Sequence, residues 1–395
     1  MNILYYVPDI TQVNGGVRQY ACALLRILAQ RSDNQYYIVH NAQDDAILSI
    51  IAIHPNLTLI PQSIGHERQV EKLIKFTRRL SNQILEKTNY TKRFKTLDYV
   101  ERLCDTYKID IVYCPYQFVP ETTRKTIVTL HDVQELHCPE FFSPAERLER
   151  AFVHKSITEK SSLIVVSYEH VKQDLITYFR RTETNVLVCL LEMQNLWFDK
   201  IAPNKLAGLE EYNLPQKFIL YPAVTWPHKN HIGLLKAIAL LRDKQNVKVS
   251  VVFTGHQTEY FAKIDEVIHE LNLQSHVQFL GVVSEEVLYT LYRQAHAVVV
   301  PTLYEAGSFP LMESILMGIP VVCSNVTSLP DTIGQADYVF TPTITEDIAD
   351  KVYKICFDES YRTRNVSNSR KQADRLRNTN ALTILTSAMD ELLRK

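Results

Sequence analysis

The stretch Pro301-Thr302-Leu303-Tyr304-Glu305-Ala306-Gly307-Ser308-Phe309-Pro310-Leu311-Met312-Glu313 combines the features of a strand end, a loop and a helix start. The apolar run Ala297–Pro301 predicts the strand, and Pro310 suits the first turn of a helix, where its missing N–H is not needed. Open α/β sheets bind ligands beyond the carboxyl ends of their strands. We therefore expect Glu305 in a loop that faces a ligand crevice, and Glu313 in the first helical turn beside it.

The same loop offers backbone donors. We expect the free amides of Gly307, Ser308 and Phe309 to point into the crevice, because N–H groups at a helix start lack intrahelical partners and favour anions. The two carboxylates could accept hydrogen bonds from sugar and ribose hydroxyls while the amides hold phosphate. Glu313 could instead complement the helix dipole, but that alternative does not explain Glu305 or the glycine.

Outward from this stretch, apolar strand-like runs alternate with helical patterns along most of the chain. The predicted strands are 3–7, 35–40, 56–60, 111–113, 126–130 and 163–167 in the first half, and 218–222, 248–254, 277–280, 297–301 and 321–324 in the second. Continuous apolar strands separated by helices indicate parallel sheets covered on both faces. We therefore predict an α/β protein of two Rossmann-like, doubly wound parallel-sheet domains, 1–195 and 196–375, with a terminal helix in 376–395 and the linker within 190–216.

The composition excludes several classes of protein. The 395 residues include 43 Lys and Arg against 44 Asp and Glu, so an electrostatic grip of the whole chain on nucleic acid is not expected. No apolar run approaches the roughly 18 residues of a membrane span, and the segment 1–8 has the pattern of a buried strand rather than of a signal peptide. The seven cysteines form no C-x-x-C pair, which favours reduced thiols and a cytoplasmic location.

Common catalytic motifs are missing from the sequence. It contains no G-x-x-x-x-G-K-[ST], G-x-G-x-x-G, H-E-x-x-H or G-x-S-x-G motif, which argues against the usual NTPases, dehydrogenases, zinc proteases and serine hydrolases. It also contains no D-x-D pair that could hold a divalent ion against a diphosphate. We therefore expect a protein that needs no metal and no organic cofactor.

One segment is strongly basic. Between residues 66 and 103 there are ten Lys and Arg and five Asp and Glu, interleaved with apolar residues. A pair of solvated helices would have this composition. A surface that contacts anionic lipid would have it too, which would place the protein at the inner face of a membrane.

Three further positions fall where a strand gives way to a loop or a helix. Gly16, in Asn14-Gly15-Gly16-Val17, would let the backbone approach a ligand at a helix N-terminus. His131 follows the strand 126–130, where an imidazole could donate to a sugar hydroxyl or a phosphate. Lys229 precedes a predicted helix; because a lysine there opposes the helix dipole, we expect it to hold a diphosphate. A plain turn, a loop-capping histidine and a solvated lysine are the structural alternatives.

These residues together resemble the retaining family 4 glycosyltransferases, which have the two-domain GT-B fold. The family's hallmark, E-x7-E, is met by Glu305 and Glu313. The other segments that carry the resemblance are 277–281, 317–322 and 328–331 in the second half and 15–17, 131–132 and 166–167 in the first. The resemblance spans nearly the whole chain.

The resemblance implies a role for each candidate residue. Glu305 would contact the transferred sugar and Glu313 the nucleotide ribose, while Lys229 would bind the diphosphate. His131 would lie near the reacting centre, and Gly16 would approach the diphosphate or the acceptor from the first domain. Residues 1–195 would then be the acceptor-side domain, residues 196–375 would bind the nucleotide sugar, and the helix in 376–395 would cross back to the first domain.

The implied reaction moves a hexosyl unit from a nucleotide diphosphate sugar to an acceptor hydroxyl with retained configuration, with His131, Glu305 and Lys229 as catalytic residues. The acceptor would be a glycan or a lipid-linked glycan, as in polysaccharide or lipopolysaccharide assembly. A nucleotide-sugar 2-epimerase of similar fold and a non-catalytic subunit that binds sugar nucleotides or glycans are the alternatives. Many family members have an arginine about six residues before the lysine, whereas 223–226 contains none, so the donor sugar and base stay open.

Overall fold

The computed structural model describes residues 1–8, 15–40, 45–61, 99–194, 196–202 and 206–394. Within these ranges the chain forms one parallel sheet of seven strands and another of six. The strand orders are β3-β2-β1-β4-β5-β6-β7 and β10-β9-β8-β11-β12-β13. In each sheet the chain starts in the middle and winds outward in both directions, which is the doubly wound arrangement. The predicted fold of two Rossmann-like domains is confirmed.

The first sheet belongs to the N-terminal domain. Its strands are β1 (Asn2–Val7), β2 (Gln35–His40), β3 (Leu57–Pro61), β4 (Ile111–Cys114), β5 (Lys125–Thr129), β6 (Leu163–Val166) and β7 (Val186–Val188). The helices of this domain are α1 (Gly15–Ala29), α2 (Asp45–Ile53), α3 (Tyr99–Tyr107), α4 (Gln134–His137), α5 (Pro144–Lys160) and α6 (Glu169–Phe179). Helices on both faces explain the continuous apolar strands, in which Ile3, Leu4 and Tyr5 are all fully buried.

The second sheet repeats this plan in the C-terminal domain. Its strands are β8 (Ile219–Pro222), β9 (Val251–Thr254), β10 (Val277–Phe279), β11 (Ala297–Val300), β12 (Val321–Ser324) and β13 (Val339–Phe340). Its helices are α7 (His231–Gln245), α8 (Phe261–Glu270), α9 (Glu285–Gln294), α10 (Phe309–Met317), α11 (Leu329–Ile333), α12 (Thr345–Phe357) and α13 (Glu359–Arg377). As the sequence suggests, Pro310 lies in the first turn of α10, and Gly318 ends that helix with a φ of +70°.

The last helix, α14 (Ala381–Arg394), packs on the N-terminal domain. Ala381, Leu385 and Met389 are buried in the same apolar core as residues of β1. Arg31, which lies just beyond α1, forms an ion pair with Asp390 at 3.1 Å. The chain therefore crosses between the two domains twice, once after β7 and once after α13.

The sequence reading missed two strands, β7 and β13. Each has only two or three residues and lies at an edge of its sheet, where hydrogen bonds to a single neighbour define it. So short a run carries no readable periodicity. Most of the basic segment 66–103 lies outside the described residues, so its proposed membrane contact stays a prediction.

Candidate functional site

The two domains enclose a cavity of about 280 Å³ at the carboxyl ends of their strands. Its walls come from both domains and from the chain that connects them. The lining residues are Gly16, Val17, Tyr20, His131, Asp132, Gln134, Ser167 and Tyr168 of the first domain, Leu190, Leu191 and Met193 of the connection, and His228, Lys229, Tyr304, Glu305, Ala306, Gly307, Phe309 and Met312 of the second. The predicted site residues Gly16, His131, Lys229, Glu305, Gly307 and Phe309 thus line one cavity.

Glu305 lies in the loop between β11 and α10, as the sequence predicts. This loop is tied to the segment before α7: Leu303 N donates to the carbonyl of His228 at 2.7 Å, and Thr302 Oγ1 donates to the same oxygen at 2.9 Å. These bonds bring Glu305 Oε1 within 2.5 Å of Lys229 Nζ. The side chains of Lys229 and Glu305 are 19% and 9% exposed, so this ion pair is largely shielded from water.

Lys229 does not begin the long helix. It ends the short 3-10 turn Pro227–Lys229, and Asn230 caps α7 by accepting a hydrogen bond from Gly233 N at 3.2 Å. Glu305 supplies an opposite charge to Lys229 in this structure, and the diphosphate-binding role of Lys229 stays a prediction. A diphosphate in the cavity would share Lys229 with Glu305 or displace Glu305 from it.

Glu313 differs from its predicted position. Because α10 begins at Phe309, Glu313 lies in the second turn of that helix and not in the first. Its carboxylate accepts hydrogen bonds from Trp197 Nε1 at 2.6 Å and from the Tyr292 hydroxyl at 2.7 Å. Desolvation raises the pKa of Glu313, and these two hydrogen bonds partly oppose that effect.

Glu313 lines a second cavity of about 230 Å³ that adjoins the first. The residues that line both cavities are Tyr20, Leu191, Met193 and Phe309. The basic residues of the second cavity are Arg18, Arg26 and Lys200. The two glutamates of the E-x7-E motif therefore face adjoining compartments, which could hold the two ends of one elongated ligand.

His131 follows β5 and lines the larger cavity from the N-terminal side. One ring nitrogen hydrogen-bonds the carbonyl of Pro115. Nε2 is shielded from solvent and has no hydrogen-bond partner among the described residues. Desolvation lowers the pKa of His131, with a smaller opposing effect of Asp132. Burial therefore favours the neutral form of the His131 ring.

An ion-pair network fixes the loop next to His131. Arg150 Nη2 lies 2.6 Å from Asp132 Oδ1, and Arg150 Nε lies 2.7 Å from Glu135 Oε2. His154 Nδ1 lies 2.8 Å from the other oxygen of Glu135. Burial raises the pKa of Glu135, but hydrogen bonds from His154 and Arg150 outweigh it and lower the pKa to about 2. Arg150 therefore forms ion pairs with both Asp132 and Glu135.

Gly16 and Gly307 lie where residues of the two domains approach each other closely across the cleft. A Cβ at position 307 would lie 2.6 Å from the ring of Tyr168, which comes from the other domain. A Cβ at position 16 would lie 3.3 Å from the ring of Phe309, again across the cleft. Gly16 and Gly307 therefore allow the two domains to approach at the cavity wall.

Ser308 does not reach the cavity surface. It precedes α10, and its side chain is buried, with no hydrogen-bond partner for Oγ among the described residues. Phe309 instead lies between the two cavities and lines both. Of the three predicted amide donors, Gly307 and Phe309 thus belong to cavity-lining residues and Ser308 does not.

Several residues of the site escaped the sequence analysis. Tyr168 and Tyr304 cross between the domains: the Tyr168 hydroxyl lies 3.7 Å from Met312 Sδ, and the Tyr304 ring packs 5.4 Å from that of His137. Tyr168 follows β6, so the strand-end argument used for His131 could have found it. Trp197 lies in the weakly patterned connection, and no local signal marks it.

Few basic residues line the larger cavity. Among the described residues that line the larger cavity, Lys229 is the only Lys or Arg, and His228 beside it stays neutral because desolvation and Lys229 lower its pKa to about 3. The described ranges contain no group of three or more His, Cys, Asp or Glu placed to hold a metal ion. In the same ranges, no helix has the length and apolar character needed to cross a membrane.

The sequence and fold are similar to those of known glycosyltransferases. Residues 210–372 match the family described as glycosyl transferases group 1. The O-antigen chain mannosyltransferase B of Escherichia coli is 28% identical over 260 residues, which cover 65% of this chain and 68% of that protein.

Solved structures share the whole two-domain architecture. A glycosyltransferase from Rickettsia africae matches with a TM-score of 0.70 and 18% identity, over 100% of this chain and 99% of its own. Anabaena HepE, solved in complex with UDP and glucose, matches with a TM-score of 0.65 and 15% identity over 100% of both chains. The chain therefore has the GT-B fold, and residues 210–372 of its C-terminal domain match glycosyl transferases group 1.

Proposed function

We propose that this protein transfers a mannosyl unit from a nucleotide diphosphate sugar to a hydroxyl of a glycan acceptor, with retention of configuration. The observation that carries the proposal is the ion pair of Lys229 and Glu305, which lines the same interdomain cavity as His131 of the other domain. A cation suits a departing diphosphate, whereas the carboxylate and the imidazole suit sugar hydroxyls.

Lys229 would bind the diphosphate leaving group. Binding of the donor diphosphate would move Lys229 Nζ from Glu305 Oε1 to phosphate oxygens, where its charge stabilises the negative charge that develops as the C1–O bond breaks. The start of α10 supports the same anion, because its first N–H groups lack intrahelical partners. In this proposal these groups do the work of a divalent cation, and no metal is needed.

Glu305 and His131 position the sugar. Once released from Lys229, Glu305 would accept hydrogen bonds from sugar hydroxyls. The imidazole of His131, which lines the cavity from the other domain, would accept another from the opposite side. Two acceptors fixed on different domains would hold the ring so that C1 faces the acceptor. Closure of the two domains would then limit hydrolysis of the donor by water.

Retention of configuration is consistent with the charged groups that line the cavity. Among the described lining residues, Asp132 and Glu305 are the only carboxylates, and each is engaged by a cation, so neither is assigned as a nucleophile. We instead assign a front-face route. The acceptor oxygen bonds to C1 on the side from which the diphosphate leaves, and the departing diphosphate oxygen takes the acceptor proton. The products are the new glycoside and the protonated nucleoside diphosphate.

The relatives support the choice of sugar and process. The Escherichia coli protein similar to this chain is named an O-antigen chain mannosyltransferase. We therefore place this protein in polysaccharide or lipopolysaccharide assembly, with a glycan or a lipid-linked glycan as acceptor. We also propose that it acts in the cytoplasm or at the inner face of a membrane, where residues 66–103 would contact anionic lipid.

A two-stage experiment tests the proposal. Thermal-shift measurements with UDP-, GDP-, ADP- and dTDP-sugars identify the donor, and a mannose nucleotide should give the largest shift. The donor is then incubated with methyl α-glycosides, and the anomeric configuration of the product is read by NMR; an α-linked donor should give an α-linked product. A β-linked product would contradict retention. Release of a free epimerised sugar nucleotide, or binding without turnover, would replace the transferase assignment by an epimerase or a binding subunit.

A further inference from the structure

Asp132 is a carboxylate of the larger cavity to which the proposed reaction gives no role. It follows His131 beyond the carboxyl end of β5 and lines the cavity from the N-terminal domain. Arg150 Nη2 donates to Oδ1 at 2.6 Å, whereas Oδ2 accepts no hydrogen bond from the described residues. The Asp132 side chain is 28% exposed. Asp132 therefore keeps one carboxylate oxygen that can accept a hydrogen bond from a ligand.

The carboxylate of Asp132 lies near the opposite wall of the cavity. Tyr304, which belongs to the other domain, lines the same cavity. Burial is the main cause that raises the pKa of Tyr304, and the negative charge of Asp132 raises it further. Such an effect requires the charge to lie close to the tyrosine hydroxyl, because electrostatic interactions weaken with distance. The carboxylate therefore borders the space between the two domains, where a substrate would lie.

The ion pairs behind Asp132 hold this carboxylate in place. Arg150 is shared between Asp132 and Glu135, and the Glu135 side chain is only 4% exposed. The guanidinium of Arg150 also lies 5.2 Å from the ring centroid of Phe142. Buried ion pairs add little net stability, because desolvation of the charges offsets their attraction. Stability alone therefore gives little reason for this arrangement, whose geometric effect is to fix Asp132 at the cavity wall.

We propose that Asp132 binds a hydroxyl of an uncharged acceptor sugar, next to the hydroxyl that receives the transferred unit. The inference rests on the proposed function, because it names the acceptor's chemistry and the residue that recognises it. A carboxylate accepts charge-assisted hydrogen bonds, which are stronger than bonds between neutral groups. The attacking hydroxyl still gives its proton to the departing diphosphate. Asp132 holds the neighbouring hydroxyl and thereby orients the acceptor ring toward C1 of the donor.

The charges around Asp132 favour an uncharged sugar over a sugar phosphate. Arg150 already contacts two carboxylates, so it has little charge left for a phosphate. Lys229, the only Lys or Arg among the described residues that line this cavity, is assigned to the donor diphosphate. A phosphate on the acceptor would meet the carboxylate of Asp132 without a cation between them, and like charges repel strongly where water is excluded. A neutral hydroxyl meets no such repulsion.

Transfer rates to defined acceptors test the proposal. The donor is the nucleotide sugar that gives the largest thermal shift. The acceptors are the methyl α-glycosides of mannose, glucose, galactose and N-acetylglucosamine, together with mannose 6-phosphate and glucose 6-phosphate. Transfer to at least one methyl glycoside should be faster than transfer to either sugar phosphate. Among the monodeoxy analogues of that glycoside, one that keeps the attacked hydroxyl should have a kcat/KM lower by about 10- to 100-fold.

The Asp132→Ala variant then identifies the partner of that hydroxyl. It should lower kcat/KM for the intact glycoside by a similar factor, and the deoxy analogue should cause no further loss, because both changes remove the same contact. A purely structural role of Asp132 would leave the effect of the missing hydroxyl unchanged. Asp105→Ala is the matched control, because Asp105 is an exposed aspartate of the same domain that pairs with Arg124. It should behave as wild type with both acceptors.

Other outcomes overturn the proposal. Faster transfer to a sugar phosphate, or transfer to none of these acceptors, would exclude recognition of a single uncharged sugar. Equal kcat/KM for Asp132→Ala and wild type, or a full effect of the missing hydroxyl in Asp132→Ala, would exclude the contact to Asp132. Calorimetry with nucleoside diphosphates separates these failures from that of the proposed function. Asp132→Ala should bind them as wild type does, and wild type that binds none would reject the transferase site itself.

Discussion

The two domains present chemically different faces to the cavity they share. The N-terminal face offers the imidazole of His131 and the backbone at Gly16. The C-terminal face offers the ion pair of Lys229 and Glu305. Under the proposed function, the N-terminal face would take the acceptor and the C-terminal face the charged leaving group. A chain with nearly balanced overall charge could then bind a diphosphate, since only one face needs a cation.

A second contrast separates the two glutamates of the E-x7-E motif. Glu305 lies on a loop and is paired with a cation, so a bound diphosphate can release it by taking Lys229. Glu313 lies within α10 and accepts from the neutral donors Trp197 and Tyr292. Glu305 could therefore change partners when a ligand binds, whereas Glu313 is held by neighbouring side chains of the protein. Three substitutions test this contrast, and a fourth tests a buried histidine of the same domain.

The largest effect is expected at Glu305. Glu305→Ala should lower turnover on the order of 100-fold, because it removes a contact to the sugar that strengthens in the transition state. It should not weaken nucleoside diphosphate binding, since Lys229 loses its competing partner. Steady-state kinetics and calorimetry measure the two effects, and Glu346→Ala, at an exposed acidic residue, is the control. Unchanged turnover would remove Glu305 from the reaction.

Lys229→Ala should differ from Glu305→Ala by weakening the binding of nucleoside diphosphate. Loss of a charged hydrogen bond should weaken nucleoside diphosphate binding by about 1.5–3 kcal/mol. Lys236→Ala, an exposed lysine on the following helix, should leave that affinity unchanged. Calorimetry that shows equal affinity for Lys229→Ala and wild type would place the diphosphate elsewhere.

Two buried histidines, His131 at the cleft and His231 in the core, extend the contrast between these two environments. His231 is fully buried in the C-terminal domain, with its ring centroid 5.0 Å from those of Tyr221 and Phe253. Desolvation, assisted by Lys229, lowers its pKa to about 3. Between that value and the ordinary pKa of about 6.5 the unfolded chain binds the extra proton. The stability supplied by neutral His231 is therefore complete above pH 6.5 and decreases as the pH falls below it.

His231→Phe should consequently flatten the acid side of the stability profile. The free energy of unfolding should fall less steeply between pH 6 and 4, by up to about 1.4 kcal/mol per pH unit relative to wild type. Urea titrations at each pH measure this, and His269→Phe, at an exposed histidine, should not change the slope. Identical slopes for His231→Phe and wild type would mean that His231 is protonated within the folded core.

The smallest effect is expected at the second glutamate. Trp197→Phe removes one donor to Glu313 and should lower the free energy of unfolding by about 0.5–1.5 kcal/mol, the net value of a hydrogen bond. It should also raise the pKa of Glu313 further, because one stabilising hydrogen bond is lost. Trp226→Phe alters the chain's other tryptophan, which is 50% exposed, and is the matched control. Equal stability of both variants would show that Trp197 does not hold Glu313.

The sequence alone predicts the two doubly wound domains, the loop position of Glu305 and the place of Pro310 in the first turn of α10. These follow from local patterns: apolar runs, helical periodicity, a proline at a helix start and a glycine at its end. The partners of the charged groups could be identified only from the tertiary structure. Lys229 and Glu305 are 76 residues apart and Trp197 and Glu313 are 116 apart, and nothing local to either pair predicts the contact. Such pairs depend on how whole elements pack against one another, whereas periodicity reports only which face of an element is buried.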